Sequence, residues 1–129
     1  MADKRIPYIL LVDSEPKWSK AVKAALEEQG KYHVESVASI EAALDSAHGD
    51  GFDLILINAA LAFGEDTSKF EKIVCLYGEK VLVISDERPI STAIKVFKMG
   101  ADYAEKPFEP GRVKDLVSSR LQLTQIPAA

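Results

Sequence analysis

The sequence predicts an α/β protein, a three-layer sandwich with helices on both faces of a five-stranded parallel sheet. Three observations predict it. The apolar runs Tyr8–Val12, Phe52–Ile57 and Val81–Ile84 are nearly continuous rather than alternating, as in strands buried on both faces. Helical patterns with apolar residues at 3.6-residue spacing fall between these runs. Strands that alternate with helices imply βαβ units, right-handed crossovers and a parallel sheet.

Taken in order, Tyr8–Val12 is the first strand. Trp18, Val22, Ala25, Leu26 and Gln29 then share one helical face. Ser14 is placed to cap that helix, Pro16 suits its first turn, and Gly30 is placed to stop it. His33–Val37 is a second, more polar strand. Ser39 is placed to cap the next helix, with Glu41 in the first turn where the helix dipole favours an acid. Phe52–Ile57 follows, then a short helix over Thr67–Leu76, then the strand Val81–Ile84. Ile90, Ala93, Ile94 and Phe97 stripe a fourth helix between Pro89 and Gly100. Tyr103–Glu105 is short and polar, as an edge strand tends to be. Val113, Leu116, Val117 and Leu121 stripe a last helix after Pro110, and the tail Gln125–Ala129 is expected to fray.

A length of 129 residues fits one domain, 1–129. The net charge is −4 and no Lys/Arg block stands out, which argues against direct contact with a nucleic-acid backbone. No apolar run approaches the ~18 residues of a membrane span. A single cysteine, Cys75, excludes an internal disulfide, and with no secretory signal the expected compartment is the cytoplasm. Cys75 lies in Ile73-Val74-Cys75-Leu76 and is expected to be a buried small hydrophobe. His33 and His48 are far apart with no cysteine nearby, so no zinc site is expected. There is no Ser/His/Asp arrangement, Gly-rich phosphate loop or pair of catalytic acids, so enzyme activity is not expected. Lys95, Lys98, Arg112, Lys114 and Arg120 are expected on solvated helix faces.

In open α/β sheets, sites form beyond the carboxyl ends of the strands. The residues there are Asp13, Ser14 and Glu15; Asn58 and Ala59; Ser85 and Asp86; and Lys106 and Pro107. Four segments carry a resemblance: Tyr8–Pro16 with its acidic turn, Phe52–Asn58, Val81–Ser85 ending in a hydroxyl, and Gly100–Phe108 ending in Lys-Pro-Phe. In this order and spacing the chain resembles the receiver domain of two-component response regulators, over nearly its whole length. The resemblance implies the flavodoxin-like, doubly wound sheet of strand order 2-1-3-4-5. It also implies that Asp13 holds the first acidic position, Ser85 contacts a phosphoryl oxygen, Lys106 pairs with the phosphorylated group ahead of a cis peptide at Pro107, and Tyr103 is the switch aromatic.

Three positions depart from the family pattern. Asn58 stands where the family has the aspartate that accepts the phosphoryl group. Ser14 replaces the second, magnesium-ligating acid, and Ala62 replaces a proline. The segment between Asn58 and Ser85 is also short for the family, so its helix is expected to be remodelled. An amide is no carboxylate nucleophile, and magnesium needs hard, charged oxygens. Only Asp13 remains, set against Lys106, so little or no Mg²⁺ affinity and no other cofactor are expected. Lys106 is expected to bond Asp13 or the Asn58 amide oxygen instead.

The function expected from this pattern is an atypical, pseudo-receiver signalling module that works without phosphorylation. It would bind a protein partner, or a second copy, through residues 89–99, 102–105 and 110–123. The alternative is a working acceptor that uses Asp86 or Asp13, or one whose aspartate was replaced by engineering. Against the last, a single engineered change would leave the family residues at 14 and 62 in place. Receivers often form part of a larger signalling protein, and the chain does not reveal an attached output or kinase domain.

Overall fold

The computed structural model describes residues 6–28, 30–49, 51–63, 67–85, 90–105 and 109–124. Five strands, β1 (Tyr8–Val12), β2 (His33–Val37), β3 (Leu54–Asn58), β4 (Val81–Ser85) and β5 (Asp102–Glu105), form one parallel sheet of order β2-β1-β3-β4-β5. The helices are α1 (Pro16–Glu27), α2 (Ile40–Gly49), α3 (Ala59–Ala62), α4 (Ser68–Tyr77), α5 (Ile90–Met99) and α6 (Val113–Thr124). The fold class and strand order are those the sequence predicts.

The two-residue period of the strands divides the core in two. Leu10, Val12, Ile55, Ile57, Val81 and Val83 face Ala43 of α2, Phe70, Ile73 and Val74 of α4, and Val96 of α5. Ile9, Leu11, Leu54, Leu56, Leu82 and Ile84 face Trp18, Val22 and Leu26 of α1 and Val113, Val117 and Leu121 of α6. Because β1, β3 and β4 lie inside the sheet and are covered on both faces, their sequences read as unbroken apolar runs.

Several local expectations need correction. Ser14 does not cap α1. The N-cap is Glu15, in extended conformation, and Pro16 opens the helix. The Ser39 cap does form, with the Ala42 N–H donating to Ser39 Oγ at 3.1 Å. Between β3 and α4 there is an extra turn of helix, α3, which the sequence reading left out. Gly100 ends α5 with φ +94°, a conformation that strains any residue with a Cβ, and its N–H returns to the Phe97 carbonyl.

The stripe assigned to α5 is not its buried face. Val96 is fully buried, while Ile94 and Phe97 are 48% and 56% exposed. The helix covers the β4/β5 side of a sheet that ends at β5, so Val96 and the partly buried Met99 meet the core while Ile94 and Phe97 face outward. Cys75 is also exposed, because α4 turns Phe70, Ile73 and Val74 inward and leaves position 75 on its flank.

Arg120 was expected in solvent. Instead it is half-buried and forms an ion pair with Asp102 that ties α6 to β5. Asp102 also accepts the Tyr103 N–H at 2.9 Å. Arg120→Ala should cost about 1 kcal/mol, near the top of the range for partly exposed pairs, measured as a lower urea midpoint. Lys114 pairs with Glu28 at 3.6 Å. No helix among the described residues is long and apolar enough to cross a membrane.

Candidate functional site

The register of the sheet sets what meets at its carboxyl end. Val12 lies beside Ile57, so Asp13 arrives level with Asn58. Asn58 lies beside Ile84, so Ser85 projects one residue further along β4. Ser85 in turn lies beside Glu105 of β5, two residues beyond the half-buried Tyr103. Parallel pairing thus gathers residues 13, 58 and 85 from three separate strands. Lys106, Pro107 and Asp86 lie outside the described residues.

Asn58 is both the last residue of β3 and the N-cap of α3, with φ −64° and ψ 131°. Its Oδ1 accepts the Ala60 N–H at 2.9 Å. Its Nδ2 donates to Asp13 Oδ2 at 3.2 Å. The chemistry allows only this orientation of the amide. A carboxylate oxygen needs a donor, and a backbone N–H needs an acceptor. The oxygen that the sequence reading offered to Lys106 thus has the Ala60 N–H as its described partner.

Asp13 is only 3% exposed, and among the described residues it is the one buried acid. Its second oxygen accepts the Glu15 N–H at 2.9 Å. Its own N–H donates to the Val37 carbonyl at 3.1 Å, and its carbonyl accepts from Ser19 Oγ at 3.4 Å. Each carboxylate oxygen therefore meets an N–H donor, which offsets part of the cost of burying the charge. Ser14, next in the chain, is exposed, and Ser85 is 7% exposed at the end of β4.

The sequence reading missed the α3 turn. The signal was present. Asparagine followed by Ala59-Ala60-Leu61-Ala62 is a good N-cap ahead of strong helix formers. Such a turn uses the Asn58 oxygen locally.

The response regulator receiver domain model matches residues 9–118. Among solved structures, the chain is similar to a CheY-like response regulator receiver domain protein from Methanospirillum hungatei JF-1, at 26% identity and a TM-score of 0.81. That match covers 94% of this chain and 98% of the other. It is also similar in fold to the Francisella response regulator 1452 receiver domain, with 21% identity, 92% and 99% coverage and a TM-score of 0.76. A two-component response regulator from Clostridium difficile shows 20% identity, 92% and 98% coverage and a TM-score of 0.79. A search of curated proteins found no match. With one family's pattern running through most of its length, on a sheet of the order that pattern implies, this chain belongs to the response regulator receiver domains of two-component signalling.

Proposed function

We propose that this receiver signals without accepting a phosphoryl group and acts by binding protein partners. The observation that carries the reading is the Asn58–Asp13 hydrogen bond. It puts an N–H donor against the buried carboxylate, where a metal site would need further oxygen ligands. Ser14 adds no charge beside it. This donor set does not fit magnesium, and an amide supplies no nucleophile for phosphoryl transfer. Asp13 is a poor substitute acceptor, because both its oxygens already accept hydrogen bonds. Asp86 remains the alternative acceptor.

The partner face is the one formed by residues 89–99, 102–105 and 110–123. Ile94 and Phe97 stand exposed there, and Lys98 and Arg112 of the same segments are exposed as well. Exposed apolar anchors on a face that also carries charge suit a protein partner or a second copy, with the charges setting partner choice. The cytoplasm is the compartment that fits this role and a lone thiol.

Incubation with acetyl phosphate and magnesium, followed by intact-mass measurement, tests the reading. The expected result is an unchanged mass. Gain of one phosphoryl group would sink it, and peptide mapping would then locate the acceptor at Asp86 or Asp13.

A further inference from the structure

A groove between α4 and α5 lies apart from the Asn58–Asp13 pair and holds a cavity of about 510 Å³. Among the described residues, its apolar walls are Phe63, Val74, Cys75 and Met99, and its polar lining includes Glu71 and Lys95. The two charges are placed differently. Glu71 accepts a hydrogen bond from Thr67 Oγ1 at 2.9 Å. The Lys95 ammonium sits 5.6 Å from the Phe63 ring centroid. Among the described residues it has no carboxylate partner.

We infer that this groove binds a small amphiphilic anion, an aromatic or aliphatic body carrying a carboxylate or sulfonate. The volume is that of a small-molecule site. A second copy of the chain would instead need roughly 800 Å² of complementary surface on each partner, which a concave pocket of this size does not offer. The apolar walls take the body of the ligand. Lys95, held over an aromatic face by its cation–π contact, takes the acid group. The site is independent of whether residue 58 can be phosphorylated.

The test uses 8-anilinonaphthalene-1-sulfonate, an aromatic anion whose emission brightens and shifts to the blue in apolar sites, alongside the uncharged N-phenyl-1-naphthylamine. Both should bind the wild-type protein. Lys95→Gln should weaken the sulfonate roughly tenfold, the loss of one charge-assisted contact, and change the uncharged dye less than twofold. Met99→Trp, which fills the groove, should remove both signals. Cys75 is the chain's single cysteine and exposed, so the sulfonate should slow its alkylation by N-ethylmaleimide in the wild-type protein. That measurement needs no variant to fold. The inference is overturned if Lys95→Gln leaves sulfonate binding unchanged or if alkylation is not slowed. It is also overturned if Phe97→Ser, rather than Met99→Trp, abolishes the signal, since the dye would then sit on the partner face.

Discussion

Asn58→Asp, which puts a second carboxylate beside Asp13, should destabilise the metal-free protein by about 1–3 kcal/mol. The wild-type amide donates to Asp13 Oδ2 at 3.2 Å. A carboxylate there removes the donor and sets a second negative charge against a buried first one. Two acids at that distance resist ionising together, so one titrates at a raised pH. The sign follows from proton binding. The folded variant would hold a proton that the unfolded chain releases, so its stability falls as pH rises through the carboxylate range and recovers on acidification. Magnesium should then separate the two proteins. In the variant, two adjacent carboxylates give the ion a charged oxygen pair, and millimolar Mg²⁺ should raise its melting temperature. The wild-type melting temperature should stay still. Thermal melts in EDTA and in magnesium measure both effects. A variant as stable as wild type in EDTA, or a wild-type protein stabilised by magnesium, would overturn the account of the pocket.

Leu56→Ala should cost about 2–5 kcal/mol. Leu56 is fully buried in the middle of β3, with Leu11 beside it on β1 and Leu82 on β4. Its side chain points to the layer formed by α1 and α6. Truncation forfeits the burial of the removed atoms and leaves a cavity, because central strands tethered on both sides cannot close in. Domains of this size are stable by only about 5–15 kcal/mol, so a large part of the total would go. Urea unfolding should show a lower midpoint with an unchanged slope. Leu76→Ala is the control. That leucine is 51% exposed on α4, and its loss should stay within about 0.5 kcal/mol.

The central strands were legible because burial on both faces leaves no polar positions in them. Tyr8–Val12 and His33–Val37 have the predicted bounds. That Asn58 closes the apolar run of the third strand was legible, since a strand, its last residue and the following turn are contiguous in the chain. What that asparagine bonds to was not legible. The Asp13–Asn58 contact joins residues 45 apart and exists only once β1 and β3 pair in register. The α5 stripe misled for a related reason. Apolar residues at helical spacing show that a face exists, while the neighbouring strands decide whether anything covers it. Cys75 and Arg120 reversed expectation in opposite directions for the same cause: each side chain's environment was set by an element distant in sequence.

By itself, the chain's order of residues determined the alternation of strands and helices, the doubly covered sheet and the asparagine that ends the third strand, all of which rest on patterns within a few residues. Tertiary structure alone decided that the amide at 58 clasps a buried aspartate, that Ile94 and Phe97 face outward, and that a lysine stands over Phe63 in an open groove. Those outcomes depend on which surfaces meet across the sheet, and that follows from strand register and helix rotation rather than from any local run of residues.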